Sequence, residues 1–439
     1  MEPVIPEPGG RDGVPLRIAY VLGTTAGGTG PHVAMLAHGC AARGMAVRVF
    51  GPAETGRRFF GGQPDAATGG AGRDPAAESA GYGPGEGEAS DGPAAEGGGY
   101  GPAAGGVGDG TARLPAFAAV AIGDRPRPGH DLAAVLRLRH LLRDWAPEVV
   151  HAHGLRAGAF AALAGGPGAL VVTVHNAPPD AAPGRVIHAA LERLTARRAD
   201  LVTWVSGDLG ARMRRAGARD GGRAVVAAPG FPPPATDQVA VARASLGEGG
   251  RPAVFAAGRL TAQKGFTVLI DAAAQWQGRD PVPELAIAGE GPLASQLSAR
   301  ALAAGVPVRF LGRRADVPAL MAAADVVVVP SLWEGQPLVV QEALQAGRPV
   351  VASRAGGIPD LTGEDGALLV PPGDATALAG AVLAVLDDRP MAARLGATAT
   401  ERARALPDAG DAVDSAVALY GRLRQAADSR TGQRTRNRP

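Results

Sequence analysis

A chain of 439 residues rich in Ala, Val and Leu exceeds what one compact core holds, so two similar domains are expected. A formal net charge of +2, from 44 Lys and Arg against 42 Asp and Glu, gives no cationic surface for nucleic acid, and the single cysteine, Cys40, excludes an internal disulfide or a cysteine-built metal cage. No apolar run approaches bilayer-spanning length, and the Pro-, Gly- and acid-rich opening is unlike a signal peptide, so the cytoplasm is the expected location.

Residues 1–15 read as a disordered N-terminus. RIAYVLG then reads as a buried strand, TTAGGTG as a Gly-rich loop, HVAMLAHGCAARG as a helix and AVRVFG as a second strand, which together make a βαβ opening. Residues 61–111 combine dense Gly, Ala and Pro with scattered acids and no apolar periodicity, the signature of a disordered insertion. Order resumes with a helix near Asp131 to Trp145, followed by strands EVVHAHG, LVVTVHN, LVTWVS and AVVAAPG with helices or turns between them.

After the Pro-rich FPPPATD the alternation starts afresh, with strands AVFAAG, LAIAG, VRFLG, DVVVVP, PVVAS and ALLV separated by helices. Strands apolar on both faces belong in parallel sheets covered by helices. The expected class is therefore α/β, with two Rossmann-like domains, 16–234 and 235–405, binding ligands in the cleft at the carboxyl ends of their strands. A helix over 406–426 should return to the first domain, and the basic, unpatterned residues 427–439 read as a disordered tail.

The strongest chemical signal is SLWEGQPLVVQEALQAGRPVVAS. A strand ends at Pro330, a loop carries Glu334, and a helix beginning near Leu338 carries Glu342. Free backbone N–H groups and the positive helix end near Gln336 to Val339 would welcome a diphosphate, leaving the two carboxylates to accept hydrogen bonds from sugar hydroxyls. Either glutamate alone would serve equally well as an ordinary helix charge. In GRLTAQKGF, Arg259 and Lys264 share one loop after the strand AVFAAG, where two cations suit a diphosphate and oppose the charge growing on it as it departs.

Together, GRLTAQKG, IAGEGPL, FLGRRADVPAL and SLWEGQPLVVQEALQAGRPVVAS resemble the signatures of glycosyltransferase family 4, retaining enzymes of the GT-B fold. The resemblance implies that Arg259 and Lys264 hold the donor phosphates, Glu342 the ribose and Glu334 the hexose. It further implies that Gly335, Gln336, Pro337 and Leu338 line the phosphate loop, and that backbone near Arg313 meets the nucleobase. Many relatives carry Phe where this chain has Gln336. In the first half, TTAGGTGPH resembles the family's glycine-rich loop, in which Gly27 and Gly28 let backbone approach the donor closely. The spacing GTGPHV does not fit a dinucleotide fingerprint. His175, ending LVVTVHN, corresponds to a histidine that in the family reaches the donor hexose and is counted with Arg259, Lys264 and Glu334 as catalytic. His32 and His153 are acceptor-side candidates, and His151 reads as structural.

The implied activity is transfer of a sugar from a UDP- or GDP-linked donor to a hydroxyl acceptor, without a required cofactor or metal. A sugar-nucleotide epimerase or hydrolase, or a noncatalytic donor-binding protein on the same fold, stays open. RVIHAALERLTARRAD sets an apolar stripe beside Arg193, Arg197 and Arg198. It suits either a peripheral helix at the inner face of a membrane or an ordinary helix covering the first sheet.

Overall fold

The computed structural model describes residues 14–24, 28–60, 115–176, 182–227, 230, 232–247 and 250–436. The expected insertion at 61–111 and residues 1–13 of the expected N-terminal tail lie outside them. The first domain holds strands β1 (Arg17–Leu22), β2 (Ala46–Gly51), β3 (Ala116–Ala119), β4 (Val149–His153), β5 (Ala169–Val174), β6 (Leu201–Trp204) and β7 (Gly221–Arg223). Between them run helices α1 (Thr29–Ala42), α2 (Ala53–Phe59), α3 (Pro128–Trp145), α4 (Leu155–Ala164), α5 (Ala182–Arg198) and α6 (Gly207–Ala216).

The second domain opens with α7 (Thr236–Leu246) and carries strands β8 (Ala253–Ala257), β9 (Glu284–Ala288), β10 (Val308–Gly312), β11 (Val326–Val329), β12 (Val350–Ser353) and β13 (Leu368–Val370). Its further helices are α8 (Phe266–Ala274), α9 (Ala294–Ala303), α10 (Val317–Ala323), α11 (Leu338–Gln345), α12 (Ile358–Thr362), α13 (Ala375–Asp387) and α14 (Arg389–Arg404). The chain closes with α15 (Ala409–Arg436).

Both sheets are parallel, in the orders β3-β2-β1-β4-β5-β6-β7 and β10-β9-β8-β11-β12-β13. The reason lies in the strands: β4, β9, β11 and β12 are buried at every residue, so helices must cover both faces. Each sheet reverses its strand order once, between β1 and β4 and between β8 and β11. The crevice beyond the carboxyl ends of those strands is where an α/β sheet offers a ligand site.

Three local differences from the sequence reading have physical causes. The strand expected in AVVAAPG does not form among its described residues, and β7 forms just before it, where Gly221 lies against the Val202 carbonyl and the Trp204 ring with no room for a side chain. β3 was not anticipated, because AFAA is short and only partly buried. The last helix runs to Arg436, past the expected end at 426 and into the segment read as a disordered tail. Its Arg, Gln and Ala residues are good helix formers. No helix among the described residues is long and apolar enough to cross a membrane.

α15 crosses from the second domain onto α1 and delivers Tyr420, fully buried, into the first core. The Tyr420 hydroxyl meets His151 Nδ1 at 2.6 Å and donates to the Tyr20 hydroxyl at 2.9 Å, while His151 Nε2 meets the Thr173 hydroxyl at 2.7 Å. Tyr420→Phe strands a buried ring nitrogen and is expected to destabilise the protein by about 1–3 kcal/mol, read as a lower urea midpoint of the first-domain transition.

Candidate active site

On the second-domain side, the two strands flanking the order reversal supply the charged groups. The loop after β8 carries Arg259 and, in a single 3-10 turn over Ala262–Lys264, Lys264. The loop after β11 carries Glu334. Lys264 Nζ donates to Glu334 Oε1 at 2.6 Å, with the side chains only 19% and 6% exposed. The Ser331 hydroxyl donates to the same oxygen at 2.7 Å, and Gln263 Nε2 reaches Glu334 Oε2 at 3.4 Å and the Trp333 carbonyl at 3.2 Å. A carboxylate this buried needs such partners, and the pair is held from three directions.

α11 starts immediately beyond this loop. Pro337 occupies its N-cap in an extended conformation with no side-chain cap, so the backbone N–H groups of the first turn lack a side-chain acceptor. Glu342 lies one turn further along. Burial pushes its carboxyl up to about 7, against a smaller downward pull from Lys264. The sign follows directly: the folded protein keeps this proton up to about 7, whereas the unfolded chain releases it near its ordinary 4.5. Stability is therefore full below pH 4.5 and falls as pH rises through about 7, by roughly 3 kcal/mol at most. Glu342→Gln is expected to flatten that slope, measured as denaturation midpoints at pH 5 and pH 8.

On the first-domain side, four histidines gather at the carboxyl edge. His151 and His153 belong to β4, His175 follows β5, and His32 sits in the first turns of α1. His153 Nδ1 and His175 Nε2 are 3.0 Å apart, their rings stacked at 5.3 Å, and His32 stands edge-on to both at 5.9 and 6.1 Å. Burial, reinforced by the neighbouring imidazoles, pushes His151 and His175 down to about 3 and His153 well below its ordinary value. Burial alone pushes His32 down to about 4. All four rings are neutral at physiological pH.

The two sides touch. A Cβ on Gly335 would lie 2.1 Å from the His175 carbonyl oxygen, and one on Gly28 would lie 2.7 Å from Leu338 Cδ1, so only glycine admits this approach at Gly335. Gln336 and Gln341 direct their amides to the Val226 carbonyl at 2.9 and 3.4 Å. Asp360 joins the domains by accepting from the Gly207 backbone at 3.3 Å and pairing with Arg223 at 3.1 Å.

Of the candidate residues, the structure brings together Lys264 with Glu334, Gly335 with His175, Gly28 with Leu338, and His153 with His175. Glu342 is within electrostatic reach of Lys264. Arg259 and Arg313 stand exposed at the ends of β8 and β10, and Gly27 lies outside the described residues. Gln336, expected to line the phosphate loop with Gly335, Pro337 and Leu338, donates its amide to the Val226 carbonyl. Ser331, Gln263 and Tyr420 were missed. Ser331 and Gln263 were detectable as polar neighbours of Glu334 and Lys264 in sequence. Tyr420 carried no such signal.

Residues 27–230 match the family described as "Glycosyl transferase 4-like domain", and residues 251–388 match "Glycosyl transferases group 1". The chain is 32% identical over 280 residues to a 2-deoxystreptamine N-acetyl-D-glucosaminyltransferase of Streptomyces fradiae, covering 56% of this chain and 65% of that protein. It is 32% identical over 290 residues to a 2-deoxystreptamine glucosyltransferase of Streptomyces kanamyceticus, covering 58% of this chain and 72% of that one. The match thus spans just under two thirds of the first relative. Among solved structures, HepE of Anabaena in complex with UDP superposes with a TM-score of 0.68 at 20% identity, over 92% of this chain and 100% of that one. That likeness establishes the two-sheet GT-B architecture.

Proposed function

Because the chain belongs to the glycosyltransferases of group 1, we propose that it is a retaining transferase that moves a hexose from a nucleoside-diphosphate donor to a hydroxyl of a small polyhydroxylated acceptor. The observation that carries this reading is the Lys264–Glu334 pair beside the uncapped start of α11, at the switch point of the second sheet. A diphosphate entering there would meet the helix N–H groups and draw the Lys264 ammonium away from Glu334. Glu334, still held by Ser331 and Gln263, would then accept from the hexose hydroxyls, and Glu342 would lose its proton to hold the ribose. Arg259, exposed at the end of β8, would close on the phosphates from outside.

In this mechanism the acceptor hydroxyl attacks on the face the diphosphate leaves. Lys264, Arg259 and the helix end would stabilise the negative charge that develops on the leaving group, while Gly335, Pro337 and Leu338 shape the loop around it. His175, backed by His153 and His32, would face the hexose from the first domain. Neutral imidazoles there suit a neutral or cationic acceptor better than a phosphorylated one. The relatives named for 2-deoxystreptamine support an aminocyclitol as the first acceptor to try. HepE, solved with UDP, supports a uridine donor ahead of a guanosine one.

The test is a panel of UDP-, GDP- and ADP-hexoses with and without aminocyclitols. Acceptor-dependent release of nucleoside diphosphate supports transfer, a new sugar nucleotide without acceptor supports epimerisation, and donor hydrolysis indifferent to acceptor supports a hydrolase. A protein that binds none of the donors would overturn the donor-site reading itself.

A peripheral membrane contact has its own observation. On α5, Val186 is 72% and Ile187 43% exposed, beside exposed Arg185, Arg193, Arg197 and Arg198. Flotation with anionic against zwitterionic vesicles tests it. Equal recovery with both, or with neither, removes the proposal.

A further inference from the structure

His153 and His175 share a single hydrogen bond between ring nitrogens, Nδ1 of the first and Nε2 of the second, at 3.0 Å. Two neutral imidazoles can form that bond only if one of them donates and the other accepts. The choice propagates, since a neutral ring with its proton on one nitrogen leaves the other bare. His153 and His175 are thus coupled: the tautomer of one dictates the tautomer of the other.

The far end of His153 decides which arrangement holds. Its Nε2 is buried and has no partner among the described residues, and the residue as a whole is 3% exposed. A buried N–H without an acceptor is rarer and more costly than a nitrogen or oxygen lone pair left unmatched. The proton of His153 therefore belongs on Nδ1, where it is used, and Nε2 is bare. His175 Nε2 then accepts, and the proton of His175 lies on Nδ1, the nitrogen not tied to His153. His175 is, as a whole residue, the more exposed of the two, and its own carbonyl abuts Gly335 across the domain boundary.

We propose that His153 is a positioning residue that fixes His175 as a hydrogen-bond donor, through Nδ1–H, toward the sugar in the interdomain cleft. This rests on the donor-site reading above for its catalytic meaning, though not for the tautomer itself. A donor at that place fixes the hexose through one of its oxygens, whereas a bare nitrogen would make His175 an acceptor that holds a sugar hydroxyl the other way round. His153 needs no contact with substrate to exert this effect.

Histidine tautomers are read directly in the full-length protein by selective 15N labelling and long-range nitrogen–hydrogen correlation, with His175→Asn and His153→Phe assigning the signals. The expected wild-type spectrum shows both rings neutral and protonated on Nδ1 between pH 5 and 8. In His153→Phe the His175 ring should shift toward the Nε2–H form. In His153→Gln, whose amide can donate to His175 Nε2, it should return to Nδ1–H. Turnover should fall on the order of tenfold in the Phe variant with donor KM unchanged, the worth of one hydrogen bond made at the reacting centre. The Gln variant should recover most of it. Finding His175 as Nε2–H in the wild-type protein overturns the proposal, as does an unchanged His175 tautomer in His153→Phe. Should no donor be turned over while the tautomer pattern holds, the transferase reading fails and the coupled pair stands.

Discussion

Replacing Lys264 with alanine is expected to lower kcat by about two to three orders of magnitude, the loss typical when one preorganised group that stabilises developing charge is removed. The size of the effect follows from the setting. The ammonium sits 2.6 Å from a carboxylate that is itself almost wholly enclosed, in a crevice where water screens little. The variant also leaves Glu334 with Ser331 and Gln263 as its partners among the described residues, so a loss of stability of about 3 kcal/mol or more accompanies the loss of turnover. Lys264→Arg keeps the charge but not the point geometry and separates the two contributions, because it should recover more of the stability than of the rate. Steady-state kinetics with saturating donor and a urea titration give both numbers. A Lys264→Ala enzyme with wild-type kcat would show that the leaving phosphate is stabilised elsewhere.

Gly335→Ala is expected to cut turnover by about a hundredfold while the second domain folds normally. The added methyl carbon would stand 2.1 Å from the His175 carbonyl oxygen and 3.0 Å from a Val205 methyl, both fixed parts of the first domain. Relief requires the domains to part by about 1 Å, and a misplacement of that size costs roughly a hundredfold when the two halves of a site must meet. Because the clash involves first-domain backbone, no side-chain rotation avoids it. Small-angle scattering should show a larger radius of gyration in the variant, while donor affinity, a property of the second domain, should change little. Unaltered turnover would mean that catalysis does not need the domains this close.

The fold was legible in the sequence wherever burial was complete. Runs such as VVVV at Val326–Val329 and the LAIA that follows Glu284 have no polar face, and a parallel sheet between helix layers is the arrangement that hides both sides. It failed where short strands draw on position rather than composition. Gly221–Arg223 has no apolar residue and pairs because glycine fits against β6, while the apolar Val225–Val226 beside it gives up sheet bonding. The Val226 carbonyl goes instead to Gln336 and Gln341. The second-domain half of the candidate site was equally legible, since Lys264 and Glu334 lie in loops whose strands were plain, and topology then brings the two loops together. The histidine cluster was only half legible. Alternation placed His151 and His153 on one face, yet nothing in the sequence tells that Tyr420, 269 positions away, completes His151.

That last contact bears on how the protein is made. During translation the first domain emerges long before α15, so β1 and β4 must wait with an open slot between Tyr20 and His151 until the second domain and α15 have followed. Tyr420 then fills it, while Val413 seats against Gly39 of α1. Until α15 has been made that slot stays open, so the core of the first domain is finished by a helix that follows the whole second domain in the chain.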